Sequence, residues 1–166
     1  MKKFLAGLFT ALFIAGTVSA VDAAPSTGLV RIVDTGAENF SAELPKIDAD
    51  PPVAFGRIYR STTNSAVWMT PFQIDGRNGV ITYQINADGY IERITISRTD
   101  NNLTAKNIKD VAGAVLNLIG LSDLEIQEIL DARDDSRANV YGGATHRRIW
   151  TSTNADGTIA IVATVD

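Results

Sequence analysis

The residue best suited to chemistry in this 166-residue chain is its single histidine, His146, which precedes Arg147 and Arg148. An imidazole titrates near neutral pH and can act as a general base. Alternation along a strand puts His146, Arg148 and Trp150 on one face. This pattern supports an alternative in which His146 and Arg148 are the catalytic residues of a small hydrolase or lyase. The simpler interpretation is an exposed strand histidine.

Other reactive centres find little support in the sequence. The chain has no cysteine and one histidine, which excludes a zinc site built on thiolates or imidazoles. It has no Gly-x-Ser-x-Gly nucleophile elbow and no phosphate-binding glycine loop. The acidic clusters Asp48/Asp50 and Asp131/Asp134/Asp135 do not fit a calcium loop of the EF-hand type. The sequence therefore predicts no metal and no cofactor, and favours a non-catalytic protein.

A binding role has better support, from the last β-rich segment. If its isoleucines line a face under the helices, Trp150 and Val162 point away from them, and an exposed Trp on a sheet is a typical anchor for a partner. Alternatively, residues 24–52 fold back and cover this face. Trp68 is expected to pack in the core or at the sheet edge. The candidate binding residues are Trp150, Val162, Arg148 and His146.

The segment 131–144 connects the helical region to the last hairpin and concentrates charge. Its arginines are expected to pair with the neighbouring aspartates, because guanidinium forks bind carboxylates in a bidentate manner. A third hypothesis makes this loop the contact surface of an inhibitor of a secreted enzyme.

Two amphipathic helices are predicted within residues 103–133. Thr104 is the N-cap of the first, Gly120 ends it, and Ser122 with Glu125 forms a capping box for the second. Leu124 is assigned to the apolar side of the second helix together with its isoleucines. Gly113 weakens a helix. We expect a glycine at this position because a neighbouring backbone approaches closely.

The flanking segments predict an antiparallel sheet. Residues 80–98 and 145–166 each place two β-rich runs around the same tetrapeptide, Asn-Ala-Asp-Gly, which is typical of a hairpin turn. Strands are also expected in 53–61 and 66–74, and Pro71 assigns the second to an edge or a bulge. The predicted fold is α+β: an antiparallel sheet of about five to six strands, made of a β-meander, two helices and a final β-hairpin, with the helix pair packed on one face.

The N-terminus indicates export. Residues 1–23 combine Lys2 and Lys3, an apolar run and small-residue cleavage sites, as in a secretory signal peptide. Residues 24–52 form a Pro-rich arm or edge segment, and 53–166 a single α+β domain. A net charge of −4 argues against nucleic-acid binding, and no later segment is long enough to anchor in a membrane. We expect a secreted or periplasmic bacterial module that binds a protein or an envelope polymer.

Overall fold

The computed structural model describes residues 29–131, 140–142 and 147–165. Within these ranges the helices are α1 (Ala37–Glu43), α2 (Ala105–Ile119) and α3 (Asp123–Asp131), and a 3-10 turn covers Leu44–Lys46. The strands are β1 (Leu29–Val30), β2 (Val53–Phe55), β3 (Tyr59–Arg60), β4 (Val67–Ile74), β5 (Arg77–Ile85), β6 (Ile91–Arg98), β7 (Val140–Gly142), β8 (Arg147–Thr153) and β9 (Ile159–Val165).

The strands form one antiparallel sheet in the order β2-β4-β5-β6-β9-β8-β7. Strand β3 also pairs with β4, and β1 pairs with β9 beside β6. The predicted α+β class with an antiparallel sheet is confirmed. The described residues form nine strands rather than five to six, because segment 53–61 is divided into β2 and β3 and because β1 and β7 are added.

The two Asn-Ala-Asp-Gly segments form the hairpin turns expected of them. Gly89 and Gly157 have φ angles of 85° and 83°, in the left-handed region that favours glycine. The amide of each donates to the carbonyl of the asparagine that opens its turn, Asn86 at 3.1 Å and Asn154 at 2.9 Å. Identical sequences therefore close the β5–β6 and β8–β9 hairpins in the same way.

Pro71 explains why residues 53–61, predicted as one strand, form two short ones. The carbonyl of Pro71 accepts from Gly56 N at 2.7 Å, so this edge of β4 faces β2 and β3. In a strand the N–H and C=O of one residue point to the same side, and proline has no N–H to offer there. The chain leaves β4 after Gly56 and returns at Tyr59, which pairs with Met69.

The pairing register divides the side chains of the sheet between two faces. Ile81 lies opposite Ile96, and Ile96 lies opposite Ile159, so three fully buried isoleucines form one cross-strand row. Because alternate residues of a strand point to opposite sides, this row defines what we call the helix-side face. The opposite side, which carries Trp150, is called the Trp150 face.

The two long helices lie close to three strands of the sheet. Helix α2 contacts β6 and β9, and α3 contacts β8. Thr151, opposite Ile161 in the register, donates its hydroxyl to the carbonyl of Ile129 in α3 at 3.3 Å. None of the described helices has the length and apolar character needed to cross a bilayer.

Capping residues set the helix boundaries as predicted. The Thr104 hydroxyl accepts from Asn107 N at 3.2 Å, and Gly120 ends α2 with a φ of 104°. The Glu125 carboxylate accepts from Ser122 N at 2.7 Å, which lowers the pKa of Glu125. The assignment of Leu124 to the buried side of α3 is wrong. Its side chain is 75% exposed because it lies in the first turn, away from the buried Ile129.

Residues 29–47 contribute to the core, and α1 was not among the predicted elements. Phe40 packs edge-to-face on Tyr83 with ring centroids 6.1 Å apart. Ser41 Oγ and Thr70 Oγ1 form a buried hydrogen bond of 2.9 Å beside the same tyrosine. Together with the fully buried Leu44, these contacts hold α1 against β4 and β5.

Replacing either of two glycines by alanine tests the packing, because the two variants are expected to change the free energy of unfolding in opposite directions. A Cβ at Gly79 would lie 2.2 Å from Phe72 Cζ, because the Phe72 ring crosses over the glycine opposite it. We expect Gly79→Ala to lower the free energy of unfolding by about 1–3 kcal/mol.

A Cβ added at Gly113 would meet only the side chains of Ile126 and Leu130, at 3.6 and 3.8 Å. The expected close approach of a backbone is therefore wrong.

Gly113→Ala is the matched variant, and it should raise the free energy of unfolding by about 0.5–1 kcal/mol, because alanine favours the helix. Urea denaturation followed by circular dichroism measures both. A destabilised Gly113→Ala variant or a neutral Gly79→Ala variant contradicts the packing described.

Tyr83 makes the stability of the fold sensitive to alkali. Burial raises the pKa of Tyr83 to about 12 from 10.0, and the nearby hydroxyls of Thr70 and Ser41 oppose that shift only in part. The Tyr83 hydroxyl itself has no partner with hydrogen-bond geometry. The unfolded state loses this proton first, so the contribution is complete below pH 10 and is lost as the pH rises toward 12.

We expect Tyr83→Phe to be at least as stable as wild type at pH 7, because it removes a buried hydroxyl without a partner. Between pH 10 and 12 it should lose on the order of 2 kcal/mol less stability than wild type. Denaturation curves across this range give the comparison, with Tyr90→Phe as the control that retains the buried Tyr83. Parallel stability profiles for wild type and Tyr83→Phe contradict this account.

Candidate functional site

A cross-strand row on the Trp150 face joins three strands. Trp150 lies opposite Val162 across β8 and β9, and Val162 lies opposite Arg93 across β9 and β6. Directly opposed residues have Cβ atoms about 4.5–5.5 Å apart, so the Arg93 side chain can reach a ligand that also touches the indole. Arg148 lies two residues from Trp150 on β8 and therefore points to the same face.

The indole of Trp150 is held in place at the surface of the sheet. Its Nε1 donates to Thr164 Oγ1 at 2.9 Å, and Thr164 is only 4% exposed. Trp150 and Val162 are each half-buried. A fixed, half-buried aromatic ring loses little conformational entropy when it meets a ligand.

Charge is distributed unevenly between the sheet and the helices. Within the described part of the chain, the nine strands contain six arginines and one acidic residue, Glu92 at the bulge of β6. The three α-helices contain seven acidic residues and two lysines. Of the six strand arginines, Arg93 and Arg148 lie on the Trp150 face by register.

Arg93 is the cation nearest the middle of the Trp150 face. Its Nε is buried and has no hydrogen-bond partner. The uncharged residues that share this face by register have hydroxyl, amide or apolar side chains, and Val80, Thr95 and Ala160 among them are buried. They include Met69, Val80, Thr82, Gln84, Thr95, Ser97, Ala160 and Ser152. The face therefore offers positive charge, hydroxyl groups and an aromatic ring to a ligand.

Several residues singled out in the sequence fall outside the described part of the chain. They include His146, so the hydrolase or lyase hypothesis stays a prediction. The same holds for the inhibitor hypothesis, because most of residues 131–144 lie outside it as well. The hypothesis that residues 24–52 cover Trp150 concerns a segment that the structure describes from residue 29 onward. In that part, β1 extends the sheet beside β9, and α1 packs on Tyr83 of the helix-side face.

A second feature, which the sequence did not reveal, is an open cleft of about 600 Å³ between the β5–β6 turn, the start of α1 and the loop before β4. We call it the Trp68 cleft. Its lining includes Trp68, Arg60, Asn86, Asn39, Glu38 and Ile85. Trp68 does pack against the core, as expected, but it also lines this cleft.

Arg60 stacks over the Trp68 ring, with Cζ 5.6 Å from the ring centroid. The two residues face each other across β3 and β4. The position of the guanidinium is fixed further by Nε, which donates to the carbonyl of Ser65 at 2.8 Å. A guanidinium held from two sides presents its remaining N–H groups in a defined direction.

A groove of about 740 Å³ between residues 43–50 and the two long helices is lined by residues of both charges. Lys106 pairs with Asp110 at 2.8 Å and Lys109 with Asp131 at 3.8 Å. Among the residues that the structure describes, no group of three or more histidine, cysteine or acidic side chains is placed to hold a metal ion. The Trp150 face and the Trp68 cleft each present an aromatic ring and an arginine that a ligand could contact.

Comparison of the chain with protein-family models, with curated proteins and with solved structures finds no match.

The Trp150–Thr164 hydrogen bond can be tested by substitution. We expect Thr164→Val to lower the free energy of unfolding by about 1 kcal/mol, because it leaves the indole N–H without its acceptor. Thr164→Ser keeps the hydroxyl and should retain the bond, shown by an unchanged chemical shift of the Trp150 indole proton. If Thr164→Val and Thr164→Ser give the same indole shift as wild type, the hydrogen bond is not formed in solution.

Proposed function

We propose that the protein is an exported, non-catalytic binding module of the bacterial envelope or periplasm, and that its Trp150 face binds an acidic polysaccharide. The observation that carries this proposal is the placement of Arg93, Arg148 and Trp150 close together on one sheet face. An aromatic ring packs on the apolar face of a sugar, while arginines bind its carboxylates.

The surroundings of these residues favour a hydroxyl-rich polymer over an apolar one. The face has side chains such as Thr82, Gln84 and Ser97, which are exposed or half-buried and can exchange hydrogen bonds with sugar hydroxyls. A sheet surface of this kind follows an extended chain better than it encloses a small molecule. Several weak contacts along one polymer then add up through multivalency.

Export is supported by residues 1–23, where two lysines precede an apolar run and small-residue cleavage sites. The absence of cysteine from the whole chain means that the fold needs no oxidation step after translocation. Envelope polymers with carboxylates are accessible to a protein in that compartment, and Arg93 and Arg148 provide the complementary charge.

The experiment is a binding comparison with two soluble polysaccharides, polygalacturonate and dextran, using residues 24–166. We expect binding to polygalacturonate, weakened by added salt, and no binding to dextran. Arg93→Gln should weaken binding roughly tenfold, since hydrogen bonds to charged groups are among the stronger ones. Arg57→Gln, at an exposed residue between β2 and β3, removes an arginine elsewhere and should bind as wild type.

Fluorescence of Trp150 in a Trp68→Phe background reports whether the polymer reaches the proposed face. An unchanged spectrum at saturation, or equal loss in Arg93→Gln and Arg57→Gln, would overturn the assignment of this face. Equal affinity for polyglutamate would show that charge alone is recognised and would contradict the polysaccharide assignment.

A further inference from the structure

The Trp68 cleft contains two hydrogen-bond donors whose orientation is already set by the fold. The first is the guanidinium of Arg60, which is stacked on Trp68 and tied through Nε to the Ser65 carbonyl. Its two Nη groups make no ion pair within the described part of the chain. A carboxylate can therefore bind end-on to both Nη groups without displacing a partner.

The second donor is the carboxamide of Asn86. Its Oδ1 accepts from the amides of Asp88 and Tyr90 at 3.1 and 2.9 Å, and this fixes which side of the group is oxygen. The Nδ2 group is then left for a ligand, and Asn86 lines the same cleft as Arg60. An amide N–H of this kind suits a neutral carbonyl acceptor.

The other residues of the cleft restrict further which chemical groups a ligand can carry. Trp68 and Ile85 provide an apolar wall, next to Ala66 and Ala87. Glu38 is an exposed residue of the same lining, and its charge opposes a second carboxylate. The cleft thus accepts one carboxylate, one carbonyl and an apolar group, in a volume of about 600 Å³, which is within the range of pockets for small ligands.

We propose that the Trp68 cleft binds the free C-terminus of a peptide that ends in an apolar residue. Arg60 binds the terminal carboxylate, and Asn86 donates to the preceding peptide carbonyl. The last side chain packs against Trp68 and Ile85. This site is separate from the Trp150 face and does not depend on the function proposed for that face.

The test uses N-acetyl-alanyl-leucine and its C-terminal amide as probes, in titrations followed by heteronuclear NMR. The free acid should shift the indole N–H resonance of Trp68 and leave that of Trp150 unchanged, so one spectrum separates the two surfaces. The amide should bind at least about tenfold more weakly, because it cannot accept from both Nη groups.

Variants then assign the contacts. Arg60→Gln should lose at least about tenfold in affinity for the acid and little for the amide, since only the acid uses the guanidinium fork. Arg93→Gln, on the other face, should bind the acid as wild type does. Arg60 is exposed, so its replacement is not expected to disturb the core, and an unchanged unfolding curve verifies this.

Equal binding of acid and amide, or an Arg60→Gln variant that binds the acid as wild type does, would falsify the proposal. So would a response of the Trp150 resonance without one from Trp68. Tighter binding of galacturonate than of the peptide acid would assign the cleft to a sugar acid and contradict the peptide assignment. None of these results bears on polysaccharide binding by the Trp150 face.

Discussion

The structure depends on the cross-strand row of buried isoleucines that fixes the register of β5, β6 and β9. Ile81, Ile96 and Ile159 are each almost fully buried and meet side by side beneath the helical layer. Because the side chains of a strand alternate, a shift of one residue would bring this row to the opposite face and expose it. Burying these isoleucines therefore also decides that Arg93, Val162 and Trp150 share the other face.

Both proposed surfaces result from this register and from the turns that accompany it. The Trp150 face is the side of the sheet opposite the buried isoleucine row. The Trp68 cleft lies where the β5–β6 turn approaches the start of α1, and Gly36 forms a bridge with Tyr90 there. In each case the arginine comes from a strand, and Glu92 is the one acidic residue of the described strands.

What the sequence predicted well depends on local interactions. The caps at Thr104 and Ser122 and the two Asn-Ala-Asp-Gly turns each involve residues no more than four apart, so their geometry can be inferred from spacing alone. Helix α1 is harder to predict, because it has seven residues, no side-chain N-cap bond and a proline just after it. Its stability comes from Phe40 and Leu44 packing on distant strands.

The Trp68 cleft could not be predicted for a similar reason. Arg60 and Trp68 face each other only because the chain breaks after Gly56 and pairs again with β4 at Tyr59. That break depends on Pro71, eleven residues beyond Arg60. On the Trp150 face, by contrast, alternation along one hairpin was enough to place Trp150 and Val162 together, while the neighbouring Arg93 required the β6–β9 pairing.

Arg93 and Arg148 give the Trp150 face a local positive charge that the net charge of −4 does not reveal. Near an anionic polymer such a charge draws this face toward the polymer first, because the attraction acts before contact over about a Debye length. An overall negative protein can then be attracted to a negative material at short range, with its orientation already set when the two meet.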